Sequence, residues 1–296
     1  KDDFDIVFVD ESHRLRRRIN LGTYFHAFDV VCEKLDLDKN KCSELDWILK
    51  KSENAILFYD ENQSIKPSDV KREDFDKLKS NKLTKVEHLK SQFRVKGGND
   101  YVKYVGNLLN CKLDSKQNTF FSKEYEFLLF DSIEEMVSEI KHRDFENGLS
   151  RMIAGYSWPW ISKNDKTVYD IKVGNSMLQW NSVSDDFINS PNALNEVGCI
   201  HTTQGYDLNY SGIIFGNEIT YDVENDEIVI LKENYFDRNG SVGIADIKDL
   251  KAFILNIYKT VLLRGIKGTY VYVCDKNLRE YFAKHIAKFR NEVVSV

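Results

Sequence analysis

The sequence predicts an α/β fold from the alternation of its elements, and its length and hydrophobic pattern predict a chain of two globular domains. Short apolar runs rich in β-branched residues alternate with longer amphipathic stretches, as in strands of a parallel sheet joined by helices. A length of 296 residues, with 42% hydrophobic and 30% charged residues, is enough for two domains with separate cores. No apolar run approaches the roughly 20 residues that span a bilayer.

The elements follow from these patterns in chain order. Apolar runs predict buried strands at 6–9, 55–59, 127–130, 152–155, 212–216 and 269–274. Amphipathic stretches predict helices at 24–35, 100–109, 133–143, 247–258 and 278–290. Ser132 is a candidate N-cap for the third helix, and residues 221–230 predict a β-hairpin.

Charge and cysteine usage exclude some classes of protein. A net charge of −5 argues against a simple polyanion-binding domain, although a local basic groove can lie on an acidic protein. The five cysteines lack CxxC spacing, which argues against a zinc site or a disulfide scaffold and indicates a cytoplasmic protein. The basic run RLRRRI (14–19) could bind phosphate or RNA, or form a solvated loop.

Two acidic segments follow predicted strands. In DIVFVDESHRL, Asp10 and Glu11 come directly after an apolar strand, and in AILFYDENQSI, Asp60 and Gln63 follow another. Ligands of parallel sheets bind beyond the carboxyl ends of the strands, so these side chains would share one edge. One carboxylate could hold Mg²⁺ while its neighbour polarises an attacking water, and Gln63 could sense a terminal phosphate. The alternative is a pair of strands that merely end in polar loops.

Three further segments complete a series along the chain. SQFR places Arg94 near the predicted domain boundary, where it could reach a phosphoryl group or form a surface salt bridge. CIHTTQGYDLNYSGIIFG joins polar residues, a glycine turn and an apolar strand, and YKTVLLRGIKGTYVYVCD places Arg264 between a helix and a strand. The order of the five segments carries more information than any one of them.

In that order the segments resemble motifs II to VI of superfamily 1 helicases, and in particular the Schlafen group 3-like DNA/RNA helicase domain. The resemblance implies two RecA-like P-loop NTPase domains, with ATP in the cleft between them and nucleic acid across their top. Residues 1–94 would belong to the first domain and residues 95–296 to the second.

The resemblance also implies roles for individual residues. DESH, the Walker B segment, makes Asp10 the Mg²⁺ ligand and Glu11 the catalytic base, while Gln63 couples the γ-phosphate to the nucleic acid. Arg264 would be an arginine finger, which is worth about 10³ to 10⁵ in rate where measured. The remaining contacts would be Asp60, Arg94, Gln204 and Gly205 with the nucleotide, and Thr202, Thr203, Trp158 and Trp160 with nucleic acid, which we expect to be single-stranded. Trp158 and Trp160 could instead cap the core of the second domain.

A phosphate-binding Gly-Lys pair is absent from the sequence. In the family this loop lies upstream of the DES strand, so we expect a first domain truncated at its N-terminus, without the phosphate loop and its strand and helix. The chain by itself would then hydrolyse ATP negligibly and bind Mg²⁺ and ATP weakly. Unpaired sheet edges would favour self-association.

The sequence therefore predicts part of a cytoplasmic, helicase-like ATPase that couples ATP hydrolysis to translocation on DNA or RNA, or to its remodelling. Two alternatives remain. One is a regulatory NTPase switch that binds a protein partner, and the other is a catalytically silent nucleic-acid-binding module. The intact Asp10-Glu11 pair and Arg264 argue against the silent module, because binding alone needs neither.

Overall fold

The computed structural model describes residues 3–61, 63–64, 66–89, 94–114, 119–183, 186–203, 205–241, 244 and 246–290. The chain divides into two compact units, which are Lys1–Leu89 with Asp237–Asn256, and Lys90–Phe236 with Ile257–Val296. The assignment of 1–94 and 95–296 to two RecA-like domains stays a prediction.

Helices and strands alternate through most of the chain. In chain order they are β1 (Phe4–Val9), α1 (Phe25–Lys34), α2 (Glu44–Lys51), β2 (Ser52–Leu57), α3 (Arg72–Lys79), α4 (Gly98–Leu109), β3 (Glu126–Leu129), α5 (Ile133–Asn147), β4 (Ser150–Ala154), β5 (Ile171–Val173), β6 (Ser176–Trp180), β7 (Glu196–Gly198), β8 (Leu208–Phe215), β9 (Ile219–Asp222), β10 (Glu227–Ile230), α6 (Arg238–Ser241), α7 (Ile247–Leu262), β11 (Gly265–Val273), α8 (Lys276–Ala283) and β12 (Ala287–Lys288).

In the first unit, β1 and β2 form a parallel pair in which Val9 lies opposite Leu57. Helix α2, which leads into β2, begins with a capping box in which Ser43 and Asp46 satisfy each other's backbone N–H groups. Apolar side chains pack in two small clusters around Phe28 and Phe75. These clusters hold the helices and loops that carry the strand ends.

The prediction that β1 and β2 are buried is wrong. Phe8 is 65% exposed and Ile6 is 49% exposed, and Phe58, just beyond β2, is 48% exposed. A continuous apolar strand is typical of a sheet covered on both faces. The sheet formed by the described residues of this unit has two strands, and the apolar side chains of one of its faces are exposed to solvent.

The second unit contains an eight-stranded sheet with the order β12-β3-β11-β8-β4-β7-β6-β5. Its neighbouring strands run parallel except for the antiparallel pair β5–β6. The central strand β4 is buried along its whole length. This large, mostly parallel sheet with helices between its strands confirms the predicted α/β class.

Local signals placed several elements correctly. The Ser132 hydroxyl accepts a hydrogen bond from the Glu135 N–H, and α5 begins at Ile133 as predicted. The predicted hairpin is formed by β9 and β10. The predicted helix at 278–290 is wrong beyond Ala283, because the following residues form β12 beside β3 and the Phe289 ring stacks on Phe130 at 4.2 Å.

Candidate functional site

The acidic residues of the first unit lie at the carboxyl ends of β1 and β2. The Phe58 N–H donates to the Val9 carbonyl at 2.9 Å, and the Ser12 N–H donates to the Phe58 carbonyl at 2.8 Å. These two hydrogen bonds continue the pairing of the two segments beyond the ends of β1 and β2. The structure therefore brings Asp10 and Glu11 alongside the segment that carries Asp60, at the edge where sheets of this kind bind ligands.

Glu11 occupies an unusual backbone conformation. Its φ of 52° and ψ of 39° lie in the left-handed region, and its N–H donates to Asp10 Oδ1 at 2.9 Å. Left-handed backbone is uncommon for residues other than glycine and is found at functional turns. The turn directs the Glu11 side chain, which is 45% exposed, towards both solvent and His13.

His13 is a buried member of this edge that sequence reasoning missed. Its Nδ1 accepts a hydrogen bond from the Asp60 N–H at 3.4 Å, so the ring proton resides on Nε2. That Nε2 lies 3.1 Å from Glu11 Oε2, but no acceptor among the described residues is aligned for a hydrogen bond with it. Burial is the main cause that lowers the pKa of His13 from its ordinary value of 6.5, and the imidazole is neutral at neutral pH.

Gln63 is tied to the same edge through Asp60. The Gln63 Nε2 donates to Asp60 Oδ2 at 2.9 Å, and the Gln63 N–H donates to the Asp60 carbonyl at 3.2 Å. The predicted residues Glu11, Asp60 and Gln63 therefore form one connected cluster with His13. The sequence signal for His13 was its place in DESH, next to the two acids.

Three arginines of the basic run RLRRRI (14–19) form contacts with other residues of the chain. Arg16 pairs with Glu44 at 2.7 Å, and Arg18 pairs with Asp29 at 2.6 Å. Arg17 donates to the backbone carbonyl of Asp69 at 2.8 Å. These three contacts attach the loop to neighbouring segments. Binding of phosphate or RNA by this run stays a prediction.

In the second unit, Arg94 and Arg264 are held by adjacent residues of one loop. Arg94 Nε lies 2.5 Å from Asp207 Oδ1, and Arg264 Nη1 donates to the Tyr206 carbonyl at 3.4 Å. Arg264 is buried, at 4% exposure, whereas Arg94 is 43% exposed. The loop turns at Gly205, whose φ of +84° favours glycine, and Gln204 lies outside the described residues.

The predicted nucleic-acid contacts Thr202 and Thr203 are buried in the turn after β7. The Thr202 hydroxyl accepts from the Cys199 N–H at 2.9 Å, and the Thr203 hydroxyl donates to the Cys199 carbonyl at 2.9 Å. Both hydroxyls therefore hold the backbone of the turn. A contact with nucleic acid by either residue stays a prediction.

Trp158 and Trp160 are half-buried and pack against a hydrophobic core cluster of the second unit. The Trp160 ring lies 5.8 Å from Trp180 in an edge-to-face arrangement, and Lys163 Nζ lies 5.1 Å from the Trp160 centroid. This packing matches the alternative in which the tryptophans cap the core. Stacking on bases by their exposed parts stays a prediction.

Glu218 is a second buried titratable residue that the sequence did not indicate. It is completely buried just beyond β8, where the Tyr258 hydroxyl donates to its Oε1. The Ser157 hydroxyl accepts from the backbone N–H groups of Asn217 and Glu218 at 2.7 and 3.2 Å. Burial raises the pKa of the Glu218 carboxyl above its ordinary value.

Fold and site describe an α/β protein whose acidic and amide side chains collect at the carboxyl ends of parallel strands, as in nucleotide-binding α/β proteins. The chain belongs to the Schlafen group 3, DNA/RNA helicase domain family, whose profile matches residues 1–275. This result confirms the resemblance seen in the sequence.

A curated relative is the uncharacterized protein YPL245W of Saccharomyces cerevisiae. It is similar to this chain at 28% identity over 310 residues, and the match covers 93% of this chain. The chain spans 64% of the length of that yeast protein. No helix within the described residues has the length and apolar character needed to cross a membrane.

Proposed function

We propose that the chain is part of a helicase-like ATPase of superfamily 1 type that translocates on or remodels DNA or RNA. One observation carries this proposal. In a chain of this family, Asp10, Glu11, Asp60 and Gln63 lie together at the carboxyl ends of β1 and β2. A regulatory NTPase switch that binds a protein partner is the alternative, and the response to nucleic acid separates the two.

The first unit would supply the metal ligand and the catalytic base. Asp10 and Glu11 offer carboxylate oxygens, which suit Mg²⁺, and bound Mg²⁺ would neutralise charge on the phosphates. Among the described residues no group of three or more His, Cys, Asp or Glu side chains could hold a metal ion. A single carboxylate from Asp10 fits the way Mg²⁺ is bound beside nucleotides, where phosphates and water complete the shell.

Water activation would then fall to Glu11. Its carboxylate is partly exposed at the strand edge and can accept the proton of an attacking water. Gln63, linked to Asp60, would orient that water or sense the terminal phosphate. Both roles need side chains that a nucleotide can reach, and the Glu11 side chain is 45% exposed while Gln63 is held by Asp60.

Arginines would supply positive charge to the transferred phosphoryl group. Arg94 and Arg264 are the candidates, because the loop at Tyr206 and Asp207 holds both. Developing charge on the equatorial oxygens is the feature that such arginines stabilise. Gly205 would let the loop backbone approach the nucleotide closely.

ATP hydrolysis by the complete gene product, with and without single-stranded DNA and RNA, tests the proposal. We expect stimulation by one polymer and loss of at least about 10³ in kcat for Glu11→Gln and Arg264→Ala. Lys276→Ala, which removes an 85% exposed positive charge on α8, is the control and should leave kcat unchanged. Turnover that ignores both polymers would favour the regulatory switch, and full activity in Glu11→Gln would contradict the ATPase assignment.

A further inference from the structure

We propose that His13 is the positioning residue that couples the phosphate-sensing Gln63 to the catalytic base Glu11. The inference rests on the proposed function. It adds a residue to that site for which neither the family match nor the sequence motifs supplied a role.

The position of His13 is set by both strand ends. The residue is 2% exposed, and its two ring nitrogens face different segments. Nδ1 accepts from the backbone N–H of Asp60, which follows β2, while Nε2 lies 3.1 Å from the carboxylate of Glu11, which follows β1. A displacement of either segment therefore moves the ring relative to the other.

The chemistry of the ring suits an orienting role. With Nδ1 as acceptor, the proton on Nε2 can be donated to the Glu11 carboxylate without adding a full positive charge. The buried Nε2 has no aligned acceptor among the described residues, and Glu11 Oε2 is within reach of a small side-chain rotation. A neutral donor fixes the direction of the carboxylate and leaves it basic, as the third group does in other base–orienter pairs.

The link continues from His13 to Gln63. The same Asp60 that donates its N–H to His13 accepts from Gln63 Nε2 at 2.9 Å through its side chain. If Gln63 donates to a terminal phosphate, it gives up its hydrogen bond to Asp60 Oδ2. The position of Asp60 relative to His13 then changes. Glu11 lies on a left-handed turn with a partly exposed carboxylate, so a shift of His13 would change the direction of that carboxylate.

Two isosteric variants of the complete gene product separate the two contacts of His13. Asparagine can place its amide oxygen near Nδ1, which keeps the Asp60 contact, but it cannot reach Glu11. Glutamine extends its amide nitrogen towards the position of Nε2, which keeps the Glu11 contact. We expect His13→Gln to retain most of kcat, and His13→Asn to lose about 10- to 100-fold in kcat, the usual effect of removing an orienting partner.

The KM for ATP should stay near the wild-type value in both variants, because His13 would act on the base and not on nucleotide binding. The double variant Gln63→Ala/His13→Asn should lose less kcat than the product of the two single losses, because both residues act through the same contact with Asp60. Thermal unfolding midpoints for both variants serve as the folding control.

Equal kcat in His13→Asn and wild type, while Glu11→Gln is inactive, would overturn the role of His13 and leave the proposed ATPase intact. Equal losses in the two His13 variants would indicate a structural role only and would also overturn it. Fully multiplicative effects with Gln63→Ala would contradict the coupling. If Glu11→Gln itself stays active, the proposed function fails first.

Discussion

Arg94 and Arg264 are held by consecutive residues, Asp207 through its carboxylate at 2.5 Å and Tyr206 through its carbonyl at 3.4 Å. The sequence predicted a phosphate role for each arginine separately. The structure shows that one short loop, turning at Gly205, sets the position of both. A change in this loop would therefore affect both arginines together.

The ion pair between Arg94 and Asp207 should be weak and easily released. Both side chains are roughly half exposed, and such pairs contribute about 0.2–1 kcal/mol. Asp207→Asn should therefore change the free energy of unfolding by less than about 1 kcal/mol. It should also lower the KM for ATP of the complete gene product, by up to about fivefold, because removing the Asp207 charge leaves more of the positive charge of Arg94 available to a phosphate.

Steady-state kinetics of Asp207→Asn at low and moderate salt would check this prediction. Glu224→Gln, on the exposed turn between β9 and β10, removes the same charge elsewhere and is the matched control. A higher KM in Asp207→Asn alone would show that Asp207 itself contacts the nucleotide.

The buried Glu218 should make stability depend on pH. Its pKa is raised in the folded state, so the folded chain holds this proton more tightly than the unfolded chain does. The resulting stability is fully present below the ordinary pKa of 4.5 and is lost as the pH rises through the folded value. Glu218→Gln keeps an acceptor for Tyr258 and cannot ionise, so the variant should gain stability relative to wild type between about pH 5 and about pH 8.

Denaturant unfolding of wild type and Glu218→Gln at about pH 5 and about pH 8 measures the difference in their free energies of unfolding. The exposed Glu224→Gln should show the same difference from wild type at both values. A Glu218→Gln difference that does not change with pH would mean that the carboxyl titrates at its ordinary value.

The exposed apolar face of β1 and β2 should cause self-association of the chain. Phe4, Ile6 and Phe8 alternate along β1 and so lie on one face, and Phe8 is 65% exposed. Large exposed apolar patches and unpaired strand edges favour contacts between chains. Phe8→Lys should reduce association with little loss of stability, because the side chain buries little area within the chain.

Sedimentation velocity over a range of protein concentrations would follow the association. Phe145→Lys, which changes a 90% exposed phenylalanine on α5, is the matched control and should associate like wild type. If Phe8→Lys associates as strongly as that control, another surface is responsible.

The sequence by itself determined the features that depend only on residues close together in the chain. Ser132 before two glutamates predicted the start of α5, and the apolar runs predicted strands at 6–9 and 55–59, where the structure has β1 ending at Val9 and β2 ending at Leu57. Capping and strand formation depend on local hydrogen bonds and on the alternation of apolar residues, and a pattern of a few residues contains both. The resemblance to the family followed from the order of these local motifs.

Only the tertiary structure decided which polar groups are buried and what they contact. The sequence does not show that His13 and Glu218 are buried, because their burial depends on segments far away in the chain. The exposure of Phe8 and the end of α8 at Ala283 also depend on what packs beside them. Burial is a property of many side chains at once, so no local pattern contains it.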